Sequence, residues 1–351
     1  MPIGQWFRSI CIACAAVLVA SCTVKQPPDL PRRQLPISPA SYGTVLRFPD
    51  DSTHLALGAL RYYSVDEGEL HEVPFVEDNR CRATDYTYPT ALPDGRLGLH
   101  LSCKGRWPDR PIGRDNARYI VAYDWETGEL EQIVDEPLPF EARDFSWSPD
   151  MTRGVLEIGS LLSTIVWLTP VGMEPMTITI GSGEQSWSLE ENLAAMYDDR
   201  IDNSEVGIAR DPVWSPDGRF IAFWASTNVI GRSGISRARG TYSLYLLDPD
   251  TLQLQEIAEG VKNTGSPAWS PDSRWILFTG NIGSVQNSMW LVSADGDTIE
   301  FVGQGRDSEL RGGFAGWDWL NDQDVIATIC QDDDCEQADV VLYDVSEVIG
   351  D

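Results

Sequence analysis

Trp214-Ser215-Pro216-Asp217-Gly218-Arg219-Phe220-Ile221-Ala222-Phe223 is the stretch from which the fold can be read. It describes a tight turn followed by a buried strand. Pro presets φ at the second turn position, Asp accepts from nearby backbone N–H groups, and Gly takes the last position without strain. The preceding Trp ends a strand and can fill the space between neighbouring sheets.

The block recurs. Trp147-Ser148-Pro149-Asp150 and Trp269-Ser270-Pro271-Asp272 are identical over four residues, and Phe48-Pro49-Asp50, Leu92-Pro93-Asp94 and Trp319-Leu320-Asn321-Asp322 are weaker copies. The aspartates Asp50, Asp94, Asp150, Asp217, Asp272 and Asp322 are spaced 44 to 67 residues apart. Most copies lead into an apolar strand such as Trp275-Ile276-Leu277-Phe278, then a second strand, a polar turn such as Pro249-Asp250-Thr251, and a closing strand. With the strand that enters each motif, this makes four strands per repeat.

Four-stranded units at this spacing predict an all-β chain, a β-propeller of four-stranded antiparallel blades. Six anchors predict six blades. Seven are possible if Trp187-Ser188 marks a degenerate repeat, but it lies only 27 residues before Trp214. The better reading of 181–210 is an insertion carrying a short helix, Leu189 to Tyr197, capped by Ser188 and Glu191. The last repeat lacks a fourth strand. The segment before Tyr42 can supply it, with Pro36 and Pro39 confining it to an edge.

Trp-Ser-Pro-Asp-Gly followed by Arg-Phe-Ile-Ala-Phe, and later Leu244-Tyr245-Leu246-Leu247-Asp248, resembles the repeat of TolB-like β-propellers over about residues 42–351. The resemblance implies the propeller fold and a bias toward binding proteins. It does not extend to the α/β domain that precedes the TolB propeller.

The N-terminus reads as a targeting segment. Arg8 precedes an apolar run from Ile10 to Val19, too short to span a bilayer, and Val19-Ala20-Ser21-Cys22 resembles the bacterial lipobox. This predicts a signal peptide at 1–21, a lipid on Cys22, a Pro-rich tether over 22–41 and a propeller over 42–351, placing the chain outside the cytoplasm on a membrane. Cys11 and Cys14 leave with the signal. Cys81, Cys103, Cys330 and Cys335 then remain of the seven cysteines, an even number that suggests two disulfides. Three pairings are possible. The closeness of Cys330 to Cys335 favours a local bridge, which leaves Cys81 with Cys103. The spacing does not suit a zinc site, and Asp332-Asp333-Asp334 lacks the alternation of a calcium loop.

With 26 Lys+Arg against 54 Asp+Glu, the formal net charge of −28 argues against any general nucleic-acid affinity. The cations are nevertheless bunched. Lys104, Arg106, Arg110, Arg114 and Arg118 fall in one expected long loop, with Trp107 among them, and Arg232, Arg237 and Arg239 fall in another. Both loops belong to the face opposite the Ser-Pro-Asp turns, where elaborated loops on a rigid frame carry binding. Arg143-Asp144 and Arg210-Asp211, at equal offsets before Trp147 and Trp214, reach the same face, as do Lys262, Asn263 and Arg311. These residues form the candidate contact set for a protein partner in the cell envelope. No Gly-x-Ser-x-Gly or His-Glu-x-x-His motif occurs, and His54, His71 and His100 pair with no visible nucleophile. The reading is a non-enzymatic protein-binding scaffold without cofactor or metal. The alternatives are a sensor of a small ligand or glycan, or a carboxylate-dependent lyase or glycosidase, whose acids leave no local motif.

Overall fold

The protein's structure, a computed structural model, describes residues 30–35, 45–48, 51–57, 61–64, 69–72, 81–83, 90–104, 116–124, 127–139, 142–159, 163–181, 186–197, 207–226, 241–305, 314–332 and 338–350. These residues are almost wholly β, arranged as antiparallel sheets around a ring.

The turn chemistry read from the motif is present in each full copy. Ser215 Oγ donates to Asp217 Oδ1 at 2.6 Å and accepts the Phe220 N–H at 3.0 Å, while the Arg219 N–H reaches Asp217 Oδ1. Ser148 with Asp150 and Ser270 with Asp272 repeat this at 2.6 Å. Gly218 takes a φ of 75°, and Met151 and Ser273 occupy the same left-handed position in the other two copies. The hydroxyl thus serves as acceptor for the outgoing strand and donor to the Asp. That sets the direction of the strand that follows.

That strand is buried on both faces. Ile221–Ser226 and Gly154–Gly159 are buried at every position, whereas the outer strand Leu254–Val261 is largely exposed. A strand flanked by neighbouring sheets on both faces has no solvent side, so its sequence is continuously apolar rather than alternating. The core accordingly lies between sheets. One cluster joins Trp224, Trp269, Phe278 and Trp290, and another joins Trp275, Trp317, Trp319 and Tyr343.

Five sheets are four-stranded antiparallel blades. One spans Val45 to Glu72. The Trp147 blade runs from Ala142 to Glu174, the Trp214 blade from Ile208 to Val261 and the Trp269 blade from Ala268 to Gln304. In the fifth, the Trp319 blade, strands Phe314–Trp319, Asp324–Cys330 and Ala338–Asp344 are completed by Arg32–Gln34, which pairs with Ala338–Asp344. The ring is therefore closed by a strand from before Pro36.

The expected six four-stranded blades, with seven as the alternative, are corrected to five. The Leu92-Pro93-Asp94 repeat forms a five-stranded sheet, because its leading strand is split into two short pieces. Cys81–Ala83 and Thr90–Ala91 both pair with Leu97–Lys104, which is followed by Asn116–Tyr123 and Leu130–Gln132. The Trp187-Ser188 pair makes no seventh blade. It joins Thr179–Ile180 in a two-stranded ribbon and leads into the helix Leu189–Tyr197. The reciprocal cap is present: the Glu191 N–H donates to Ser188 Oγ at 3.0 Å and the Ser188 N–H to Glu191 Oε2 at 3.3 Å.

Candidate functional site

The leading ends of the blades' first strands carry the charged residues singled out above. Within Ala142–Trp147 the pairing register slips between Ala142 and Phe145, and within Ile208–Trp214 between Arg210 and Val213. The first irregularity falls on Arg143-Asp144 and the second on Asp211-Pro212, directly after the paired Arg210. A bulge re-aims a side chain, and Asp211 has the left-handed φ of 53° that goes with one. Arg143 stays exposed, Asp144 and Arg210 are half-buried, and Asp211 is buried.

The bulges are tied across the seams between blades. The Asp211 N–H donates to Glu157 Oε2 of the Trp147 blade at 2.9 Å. Ser266 Oγ of the Trp269 blade donates to Asp211 Oδ1 at 3.2 Å. The Arg210 guanidinium lies over the Tyr242 ring, 4.5 Å from its centroid, and donates through Nη2 to the Thr264 carbonyl at 3.0 Å and to the Thr264 hydroxyl. Its contact with Asp211 is looser, Nε to Oδ2 at 3.6 Å. Three blades are thus locked together at the level of these residues.

Glu157 was not anticipated. It sits mid-strand in Gly154-Val155-Leu156-Glu157-Ile158-Gly159 and is only 5% exposed. With Asp144 and Asp211 it forms a group whose carboxylate oxygens lie within 4.8 Å of one another, close enough to share a bound charge. Burial, then the neighbouring Asp211 and Asp144 charges, push the Glu157 carboxyl up to about 8; the Asp211 N–H and Arg210 pull the other way. Burial and the two acidic neighbours therefore favour its protonated form. The one available signal was an acidic residue inside an apolar run that offers no exposed position.

Lys262 and Asn263 are exposed, Asn263 at a φ of 53°, and Lys262 bridges to Asn281 through the backbone. The structure therefore brings Arg143, Asp144, Arg210, Asp211, Lys262 and Asn263 to the leading ends of three consecutive blades. Arg118, expected in a solvated loop, lies instead in the strand Asn116–Tyr123, where it is buried and donates to the Ala142 carbonyl. Lys104 ends the strand Leu97–Lys104. Arg106, Trp107, Arg110, Arg114, Arg232, Arg237, Arg239, Arg311, Cys22 and Cys335 lie outside the described residues. Cys81 and Cys103 stand directly opposite in register. Cys330 is buried at the end of Asp324–Cys330. Among the described residues no helix is long and apolar enough to cross a membrane.

No known family profile matches the sequence, and no curated protein matches it either. Solved structures do match in fold. An oligogalacturonate lyase in complex with manganese superposes with a TM-score of 0.50 at 12% identity, covering 87% of this chain and 77% of that one. An oligogalacturonate lyase from Vibrio parahaemolyticus gives 0.48 at 13% identity, covering 85% and 76%. TolB from Acinetobacter baumannii gives 0.46 at 13% identity, covering 90% and 65%. At these identities the likeness is one of fold alone.

Proposed function

We propose that this chain is a protein-binding scaffold of the cell envelope, held to a membrane by lipid on Cys22, which docks its partner at the leading ends of the first strands. The observation that supports this reading is the exposed set Arg143, Lys262 and Asn263 beside a bulge at Asp211 that Glu157 and Ser266 fasten between blades, with Arg210 next to it bonded to Thr264. A rigid frame presenting local positive charge, in a chain of net charge −28, suits an acidic segment of a partner protein: the local field steers it in, and little ordering is needed on the scaffold side. Arg106, Arg110, Arg114, Arg232, Arg237, Arg239 and Arg311 extend the same surface in this proposal.

The test is partner recovery from detergent-extracted envelope, read by quantitative mass spectrometry. The double change Arg143→Glu with Lys262→Glu is expected to lower recovery of specific partners at least tenfold. Asp250→Lys is the control. Asp250 is exposed at the opposite, Ser-Pro-Asp end, where it pairs with Arg153 at 2.9 Å, and its change leaves recovery intact. Equal recovery from all three proteins would refute the assignment of the binding face.

A further inference from the structure

The exposed large apolar side chains among the described residues all hold one structural position. Val171, Met173, Leu252 and Ile299 are between 36% and 66% exposed. Each lies in or directly after the turn that joins the third strand of a blade to its fourth. Val171 and Met173 follow Ser163–Leu168, Leu252 follows Tyr242–Leu247, and Ile299 follows Val285–Ser293. Those turns share the end of the ring that carries the Ser-Pro-Asp turns, because Gly154 stands opposite Leu168, Ile221 opposite Leu247 and Trp275 opposite Ser293. The three blades are consecutive along the chain. A single exposed apolar side chain needs no explanation, but one repeated along a rim does.

Leu252 is also held against its own backbone preference. Its φ is 57°, in the left-handed region. The matching turn of the Leu92 sheet has the same two backbone bonds. There the Asp124 N–H donates to the Glu129 carbonyl and the Gly128 N–H to the Asp124 carbonyl, as Asp248 does to Gln253 and Leu252 to Asp248. The left-handed position of that turn is filled by Gly128, at 74°. Glycine takes this conformation without strain and leucine does not. A leucine kept exposed there points to a use for its side chain outside the fold.

The entry of the chain says what lies against this end. Arg32–Gln34 joins the next blade in order, the Trp319 blade, and enters it from the same end. Asp344 stands opposite Asp324, just beyond the motif turn, and donates its N–H to the Pro31 carbonyl. The Leu30 N–H bonds the Val302 carbonyl, on the strand that begins at Ile299. Cys22 is eight residues before Leu30, a reach of at most about 28 Å when fully extended. A strand as long as Asp324–Cys330 covers about 23 Å. A tether turned back along the blade would be nearly used up by the height of the ring. A lipid on Cys22 would therefore hold the Ser-Pro-Asp end toward the bilayer. The cations of that end add little attraction of their own, since Arg153 is paired with Asp250, Arg274 with Asp272, and Arg96 with Asp94 and Glu131. The contact is apolar and suits headgroups without net charge.

We propose that the rim formed by Val171, Met173, Leu252 and Ile299 is a membrane-resting surface: it lies in the headgroup region of the bilayer, so that the propeller stands with its Ser-Pro-Asp end down and its docking end outward. The proposal rests on the lipid anchor proposed above for Cys22. Tether and rim act together. The anchor keeps the rim close to the surface, and at that effective concentration a few partly exposed side chains hold a contact they would not hold from solution.

The test uses the full chain, purified in detergent and reconstituted into phosphatidylcholine vesicles. The photo-cross-linker benzoylphenylalanine takes the place of Leu252, Ile299 or Arg143, and lipid adducts are measured by mass spectrometry after irradiation. A rim sunk about 5–10 Å into the headgroup region leaves Arg143, at the opposite end of the blade, out of lipid reach, so the yield at Leu252 and Ile299 is expected to exceed that at Arg143 about tenfold. Val171→Ser with Leu252→Gly removes two apolar contacts and leaves a residue suited to the left-handed turn. Read from Ile299, its adducts should fall severalfold while the urea midpoint stays unchanged. Equal yields at the two ends, or no lipid adducts at Leu252 and Ile299 in vesicle-bound protein, would overturn the surface. Adducts there to a second copy of the chain would also overturn it, the rim then being a contact between copies. The mass of the Cys22 peptide separates the two readings. An unlipidated Cys22 refutes the anchor and this proposal with it, whereas a lipidated Cys22 without rim adducts refutes the resting surface alone.

Discussion

A methyl group added at Gly265 would test how tightly three blades meet. A Cβ built there lies 2.1 Å from Trp317 Cη2, 2.3 Å from Trp317 Cζ2 and 2.5 Å from Thr279 Oγ1. None of these neighbours can step aside freely. Trp317 Nε1 donates to the Ser266 carbonyl at 2.8 Å, Gly265 itself donates to the Thr279 carbonyl at 3.0 Å, and its own carbonyl accepts from Trp224. Thr279 is fully buried and Trp317 nearly so. Overpacking a well-ordered core typically costs 1–3 kcal/mol, and a rigid indole at this distance puts Gly265→Ala at the upper end, about 3 kcal/mol. With an m-value of about 3 kcal/mol per molar urea, the unfolding midpoint followed by tryptophan fluorescence should fall by about 1 M. Trp317→Phe removes the two indole carbons that clash, at the loss of the bond to Ser266. The double variant should therefore be more stable than the sum of the single losses by more than about 1 kcal/mol. A loss below about 0.5 kcal/mol for Gly265→Ala, or strict additivity, would show that the seam yields and that blade contacts are not close-packed there.

Ser215→Ala deletes both the donor to Asp217 and the acceptor for the Phe220 N–H, and should lower stability by about 1–2 kcal/mol in thermal or urea unfolding; no measurable loss would mean the motif hydroxyl is dispensable. Cys22→Ser should move the protein from the membrane fraction to the soluble extracytoplasmic fraction, read by immunoblot after cell fractionation. Continued membrane retention would remove the proposed anchor.

Much of the blade construction was legible because the turn residues and the tryptophan act locally. Ser, Pro and Asp within four residues build the turn whatever surrounds it, and Ser188 with Glu191 caps its helix in the same local way. The number of four-stranded blades was less accessible. Leu92-Pro93-Asp94 looks like a weaker motif, but nothing in that tripeptide shows that the strand before it is broken, since pairing with Leu97–Lys104 is settled over a separation too long for local propensity to set. The seam acids were missed for a related reason. Asp144 and Asp211 were visible at matching offsets, yet their partner Glu157 lies 54 residues from Asp211 and is brought there only by blade stacking. Arg118 was misread because a basic residue at the edge of a basic stretch looks solvated until the neighbouring strand Ala142–Trp147 is placed over it.

The clasp between Arg32–Gln34 and Ala338–Asp344 has a kinetic consequence. Gln34 Nε2 donates to Asp339 Oδ1 across a sequence separation of 305 residues, and the Leu35 N–H donates to the Val340 carbonyl. The first described strand thus waits for the last before either is satisfied. While the chain is being made it cannot complete its circle, and an early collapsed form leaves one sheet edge open. Loop-closure entropy makes such distant pairing slow, so the final joining is the natural slow step of folding. It also brings the two ends of the described chain side by side. A protein cut between any two blades and rejoined through these ends retains every contact of the ring.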